Sequence, residues 1–475
     1  MTARFERQEA LARLADERFD VLVIGGGITG AGVALDAAAR GLRTAVVERH
    51  DYASGTSSRS SKLVHGGLRY LQQGEYRLVR ENLVERRRLM ANAPHLVRPL
   101  PFLVPVLGPE GARTAGRVRA YSTALWLYDL FGGLRAGTRH RRIAASEVRA
   151  HFPAMRPELV RAGFIFSDAH ADDARLTLAV LRTAVLDHGA VAANRAPVAD
   201  IVKDRSGRAC GARLVDGTEV RACAVVNATG VWADDVAALD DRARPSSLRP
   251  AKGVHLTVAR VKLACDMATV LPVAGDGRSI FVIPWFDRVY LGTTDTDYDG
   301  PLDDPQCTPA DVAYVLSAVN AAISQPLVDD DVVGMWAGLR PLVASGVTSR
   351  TTDLSRRHRV TTSGSGVTSV TGGKLTTYRK MAADTVDAVV ARLGDSRFGG
   401  SRTAGLALRG AAGTGALEGT AARGAARRLG TTPDVLAHLV ARYGGETPEV
   451  LDLVDNDEGL QEPLVPGLAY LRAEA

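Results

Sequence analysis

Residues 19–24 (FDVLVI) form a short, mainly apolar run, and residues 43–48 (RTAVVE) form a second with its apolar residues between Arg43 and Glu48. Runs of this length predict strands. Between them, GGGITG sets Gly25, Gly27 and Gly30 in GxGxxG register, and AGVALDAAARG continues as a helix of small residues. Gly25 permits a tight turn, Gly27 lets backbone N–H groups approach a pyrophosphate, and Gly30 lets the helix lie close to the strand. The helix start adds free N–H donors and the positive end of its dipole. Glu48 ends the second strand about 20 residues downstream, where an acid grips ribose hydroxyls. Three glycines alone would fit an ordinary glycine-rich turn, but strand, glycines, helix, strand and acid in that order predict a dinucleotide site.

Further along, residues 76–93 (YRLVRENLVERRRLMANA) and 176–188 (LTLAVLRTAVLDH) carry helical spacing. From residue 100 to 153, prolines and basic turns interrupt the pattern, as an excursion would. CGARLVDGTEVRACAVVNATG predicts a hairpin around Asp216 and Gly217 followed by a strand. Between 249 and 340, HLTVARVKL, SIFVIPWF and RVYLGTTD predict an antiparallel sheet over the dinucleotide. GSGVTSVTGGKLTTYRKMAADTVDAVVARL then returns to strand, glycine turn and helix, and the tail from about residue 402 is alanine-rich and helical.

At 475 residues, with 46% hydrophobic and 24% charged residues, the chain has material for two or three domains and is not disordered. Residues 21–39 are apolar enough to suggest a membrane span, but their glycines and Asp36 favour strand, turn and helix. The first twenty residues are charged throughout and lack the apolar centre of a signal peptide, so a cytoplasmic location is expected. Cys210, Cys223, Cys265 and Cys307 are scattered, which predicts buried reduced thiols and no metal site. The net charge of +6 is modest, but Arg77, Arg80, Arg86, Arg87 and Arg88 cluster on one predicted helix and RAGTRHRR fills 135–142. A solvated helix face explains such a cluster, as does attraction to an anionic membrane surface or an acidic substrate. Nucleic acid is not expected, since aromatic residues do not interleave the cations.

Two blocks mix small residues, hydroxyls and cations: TSSRSSKLVHGGLRYL at 56–71 and GGKLTTYRK at 372–380. Buried Lys and Arg are costly unless paired, so such blocks suit a phosphorylated cofactor and an anionic substrate better than a core. Asn227, Ala228, Thr229 and Gly230 end a strand with small residues that let backbone pass close to a large planar ligand. Gly373 to Thr376 set a second helix start, whose N–H groups suit the pyrimidine edge of an isoalloxazine. A nicotinamide enzyme needs no such second start, so the cofactor is expected to be FAD.

These motifs resemble those of the flavin-dependent glycerol-3-phosphate dehydrogenases. IGGGITGAGVALDAAARGL, TSSRSSKLVHGGLRYL, APHLV, VNATGVWAD, KGVHLTV, FVIPW, LGTTDTDY, GLRPL and GGKLTTYRKMA follow in family order from about residue 20 to 390. The resemblance implies an α/β fold of the glycine-oxidase-like flavoprotein architecture. A Rossmann-like FAD-binding domain would be assembled from 18–98, 160–245 and 340–395, and a β-rich substrate domain from 99–159 and 246–339. Residues 400–475 would form a C-terminal helical domain, which stops short of the family's usual length. FAD is expected against Gly25, Gly27, Gly30 and Glu48, and against Thr56, Ser57, Ser61, Lys62 and Leu63 of the first block. Further contacts are expected from Asn227 to Gly230, Gly338, Gly373, Lys374, Leu375 and Thr376.

The implied reaction oxidises sn-glycerol 3-phosphate to dihydroxyacetone phosphate and passes electrons to quinone. Peripheral contact with the inner face of the cell membrane and a homodimer accompany that resemblance. A phosphate needs fixed cations, preferably a bidentate guanidinium. Arg69, Tyr70, Arg340 and Lys374 fit by motif position, although Arg340 between Gly338 and Pro341 also fits a surface turn. Hydride loss from C2 requires a base or a cation that stabilises alkoxide, for which His65, His255, Arg340 and Lys374 are candidates. Asp295 either orients a cation or, as its GTTD setting favours, caps a turn. A flavin oxidase of an amine or α-hydroxy acid, and a non-enzymatic docking protein that binds flavin structurally, would share the fingerprint without needing several cations.

Overall fold

The computed structural model describes residues 5–72, 74–108, 112–133, 139–242, 246–273, 275, 278–343, 357–413 and 432–475. Its framework is two sheets. In the first, five parallel strands run in the spatial order Thr368–Thr371, Glu219–Asn227, Arg18–Ile24, Thr44–Val47 and Val191–Ala193. The hairpin around Asp216 and Gly217 extends it through Ala209–Leu214 and Val198–Lys203. Val21, Leu22 and Val23 are fully buried, as an apolar run in the middle of a parallel sheet requires.

The fingerprint helix, Ile28–Ala39, buries eleven of its twelve residues and lies against helices Asp173–Leu186 and Tyr378–Leu393. Small side chains allow that approach; a Cβ at Gly32 would stand 2.7 Å from the Tyr378 ring. Asp36, inside this helix, is fully buried but pairs with Arg40 at 2.5 Å.

The second sheet has ten strands and is largely antiparallel. Its long pairs are Val97–Leu107 with Val160–Ala171, and Leu248–Ala259 with Val332–Val343. The apparent interruption after residue 100 is thus partly strand. Pro99, Pro101 and Pro105 share one parity, so their missing N–H groups all face one edge of Val97–Leu107 while the residues between them sustain the ladder. Residues 160–171 and 340–343, expected in the nucleotide domain, are paired into this second sheet, and so is Leu63–Val64. Alternating burial along Val160–Ala171 suits either sheet; the facing strand decides.

Beyond residue 400, helices Pro433–Tyr443 and Thr447–Asn456 enclose a small core of Leu436, Leu439, Val450 and Leu451. Glu446 ties this unit to the rest through Arg182, at 3.0 and 3.1 Å, and Arg409, at 2.6 Å. The alanine-rich part of the tail, 414–431, and residues 135–138 of the basic run lie outside the described residues. All four cysteines are free, but only Cys265 is buried.

Candidate active site

At the carboxyl end of the parallel strands, a cavity of about 390 Å³ meets Gly25, Gly27, Glu48, Thr56 and Ser57 on one side. Ala228, Thr229, Gly230, Gly373, Lys374 and Leu375 border it on the other. Gly25 has a φ of +110°, and a Cβ there would sit 2.7 Å from the Ala228 carbonyl oxygen. A Cβ at Gly30 would stand 1.9 Å from the Gly25 oxygen. The glycines therefore keep backbone, not side chains, at the mouth of the helix, as a pyrophosphate site demands. Glu48 accepts hydrogen bonds from the Gly26 N–H at 2.6 Å and the His50 N–H at 2.9 Å, which fixes its carboxylate at the cavity wall. Ser57 Oγ accepts from the Ile28 N–H at 2.9 Å, placing the first block against the helix start.

Asn227 and Lys62 act differently from the expectation. Asn227 is fully buried; its amide donates to the Ala233 carbonyl at 2.8 Å and its oxygen accepts from the Thr229 hydroxyl at 2.7 Å. It shapes the loop from within. The Lys62 ammonium turns inward to the buried Asp173 carboxylate at 2.5 Å and the Ser58 carbonyl at 3.3 Å. Charge neutralisation inside the fold holds it there.

A narrower slot of about 190 Å³ follows, bordered by Ser61, Leu63, His65, Tyr70, His255 and Gly338. Arg340 and residues 373–376 close it. The two cationic blocks, some three hundred residues apart in sequence, meet here. Lys374 Nζ lies 3.9 Å above the Tyr70 ring centroid, and the His65 N–H donates to Thr376 Oγ1 at 3.1 Å. The helical turn begins at Leu375, two residues later than Gly373, and leads into Tyr378–Leu393. Gly338 is constrained by Arg59, whose carbonyl oxygen would stand 2.6 Å from a Cβ. His255 is buried, shares a hydrogen bond of 2.8 Å with Ser61 Oγ and stacks on Trp336. Burial, reinforced by Arg340 and Lys62, pushes its pKa down to about 3, so the imidazole is neutral near pH 7.

The slot opens into a cavity of about 640 Å³ that gathers His65, Arg69, Tyr70, Asp295 and Arg340. Arg340 lies within the strand Val332–Val343, opposite Ala251, and not on a surface turn. Its guanidinium donates to Asp295 at 3.0 Å, and to Thr293 Oγ1 and the Thr294 carbonyl, each at 3.1 Å. Gly253 makes room for it, since a Cβ there would stand 2.6 Å from Arg340 Nη2. Asp295 thus orients a cation, the role that its setting favoured less. Arg278 and Arg357 also border this cavity and escaped the sequence reading. Arg278 donates to the Asp295 carbonyl at 3.2 Å and Arg357 pairs with Glu75 at 2.8 Å. Arg278 is a lone cation at the head of a β run (RSIFVIPW), and Arg357 stands in the basic run RRHR at 356–359, which carries no flavoprotein motif. Phe102, Phe166 and Phe281 form an aromatic wall, with the first two stacked at 5.3 Å.

Residues 20–379 match the family model described as FAD dependent oxidoreductase, and residues 401–475 match the C-terminal domain of alpha-glycerophosphate oxidase. The chain is 41% identical to glycerol-3-phosphate dehydrogenase 2 of Mycobacterium tuberculosis, over 99% of its own length and 79% of that protein's. It belongs to the FAD-dependent glycerol-3-phosphate dehydrogenase family. Within that family it is also 41% identical to the glycerol-3-phosphate dehydrogenase of Mycobacterium leprae, over 99% of this chain and 79% of that one. The Bacillus halodurans glycerol-3-phosphate dehydrogenase, solved in complex with FAD, superposes with a TM-score of 0.77 at 34% identity, covering 96% of this chain and 82% of that one. Glycine oxidase from Bacillus cereus shares the fold at a TM-score of 0.56 and 18% identity, covering 79% of this chain and 98% of that one. Among the described residues no helix is long and apolar enough to cross a membrane, and no group of His, Cys, Asp and Glu could hold a metal ion.

Proposed function

We propose that the protein oxidises sn-glycerol 3-phosphate to dihydroxyacetone phosphate, with FAD held in the first cavity and the slot and the substrate in the cavity of about 640 Å³. The observation that carries this reading is Arg340, a guanidinium fixed by Asp295 and Thr293 in a cavity shared with Arg69, Arg278 and Arg357. Fixed guanidinium groups select a phosphate dianion, whereas a carboxylate substrate needs fewer. FAD, when bound, supplies the hydride acceptor. Arg69, Arg278 and Arg340 bind the phosphate, and Tyr70 and Lys374 close the wall between substrate and cofactor. His65, which borders both the slot and the larger cavity, takes the C2 hydroxyl proton while Arg340 and Lys374 stabilise the developing alkoxide. His255 remains neutral and holds Ser61 in place. The parallel sheet serves the cofactor and the antiparallel sheet serves the substrate.

Anaerobic titration of the purified protein with glycerol 3-phosphate, followed at the flavin absorbance maximum, tests this. Stoichiometric bleaching is expected; bleaching by glycine or sarcosine instead would establish the amine oxidase reading. Electrons then pass to quinone at the inner face of the cell membrane. Arg77, Arg80 and Arg87 are exposed on one helix whose Tyr76 ring lies 6.3 Å from that of Phe131, and Trp126 and Leu130, just before Phe131 in sequence, are exposed at 53% and 52%, a combination that suits an anionic interface. Quinone-dependent turnover that rises on adding anionic vesicles is the expected result, and equal turnover without them would separate the two proposals.

A further inference from the structure

The helix Tyr76–Asn92, conspicuous in sequence for its arginines, lies with one face behind both cationic blocks. Asn82, Glu85 and Arg86 are spaced at i, i+3 and i+4, and so share that face. Asn82 Nδ2 donates to the Gly66 carbonyl at 2.9 Å. Arg86 pairs with Asp168, which accepts from the Gly66 N–H at 3.1 Å and from the Tyr128 hydroxyl at 2.7 Å. Both polar groups of the Gly66 backbone, next to His65, are thereby fixed. Glu85 grips Arg379, five residues after Lys374, through two bonds of 2.7 and 2.8 Å. One helix face therefore holds the first block by Gly66 and the second by Arg379.

The burial of these groups is informative. Asn82, Glu85, Arg86 and Asp168 are between 0 and 4% exposed. Buried ion pairs seldom stabilise a fold more than apolar residues of equal volume would, because desolvation offsets most of the attraction. What directional bonds add is a fixed distance, and here the fixed distance lies between two loops whose tips, Tyr70 and Lys374, meet at 3.9 Å.

We propose that Asn82, Glu85 and Arg86 are positioning residues, a single brace that couples the loop at 65–70 to the turn at 374–378 and so sets the geometry of hydride removal. This rests on the glycerol 3-phosphate reading above. Coupling is testable without turnover, by hydrogen exchange on the flavin-loaded protein. Asn82→Ala, which removes a bond to the first loop only, should raise exchange about fivefold or more at 374–378 as well as at 65–70. Glu85→Gln should do the reverse. A rise confined to the loop that lost its own bond overturns the brace.

Kinetics supply the second arm. With flavin content unchanged, each variant should lower kcat roughly tenfold to a hundredfold and leave KM within about twofold, as small misplacements of reacting groups do. A lowered Tm with unaltered kcat in both would mean a merely structural role and overturn the proposal. Tyr128→Phe guards against misfolding, since it removes one hydroxyl and keeps the ring and the Arg86–Asp168 pair; full activity in it would count against the brace. Failure of the parent protein to reduce its flavin with glycerol 3-phosphate would sink the functional reading, while the exchange result would still decide the coupling.

Discussion

At the pyrophosphate end of the groove, Gly25, Gly27 and the start of helix Ile28–Ala39 present backbone N–H groups from one stretch of chain. At the substrate end, Arg69, Arg278 and Arg340 present guanidinium groups from three segments far apart in sequence. Both ends suit anions, but the first excludes side chains while the second depends on them. Backbone recognition tolerates no added Cβ, as the 1.9 Å approach at Gly30 shows. Side-chain recognition instead needs each cation to be oriented by a partner, as Asp295 orients Arg340. One end is specified by absence of atoms and the other by pairing of charges.

The largest expected effect is at the paired end. Arg340→Ala should lower kcat/KM with glycerol 3-phosphate by about a thousandfold, the equivalent of two charge-assisted hydrogen bonds of roughly 2 kcal/mol each, while the purified protein stays yellow. If the flavin were lost too, the two ends would not be separable. Gly30→Ala tests the other side. Its Cβ would meet backbone, which cannot swing away, so FAD affinity should fall tenfold or more, roughly 1.4 kcal/mol, measured by flavin content after dialysis. Unchanged flavin binding would show that the helix can shift and that close approach is not the constraint.

Arg69→Ala should have a smaller effect, since Arg69 is exposed at the cavity rim. KM should rise about tenfold with kcat little changed. A loss matching that of Arg340→Ala would move Arg69 into the centre of the phosphate site. Smallest is a pH effect on stability. Burial pushes His255 down to about 3, and His95 and His170 down to about 4. The unfolded chain, with imidazoles near 6.5, then binds more protons than the folded one between these values, so stability is complete above about pH 6.5 and declines as pH falls toward 3. Tm should drop across that window, and His255→Asn should flatten the slope. A Tm independent of pH between 4 and 7 would show that these rings are not held neutral.

The fingerprint was legible because its constraints are local. Strand, glycines, helix and Glu48 all fall within thirty residues, and each residue type has one backbone reason to be there. The blocks at 56–71 and 372–380 were legible as chemistry, since cations among small residues make a poor core. Their meeting at Tyr70 and Lys374 was not, because nothing in either block encodes its distance from the other. Lys62 stood in such a block and yet turned inward, because Asp173 offered a buried carboxylate that no local pattern announces.

Arg86 teaches the same lesson from the opposite side. In sequence it is one of five arginines on a helix that fits a solvated face or an anion-attracting one, yet it is buried against Asp168 on a strand of the second sheet. Arg278 and Arg357 lie outside the two cationic blocks and joined the site through folding. Sequence alone determined the class of fold, the cofactor and the kind of ligand, because glycine spacing and residue type act at short range through sterics and charge. Tertiary structure decided which cations face the substrate and which brace the interior, because a charge buried on folding must find its partner wherever the chain happens to bring one.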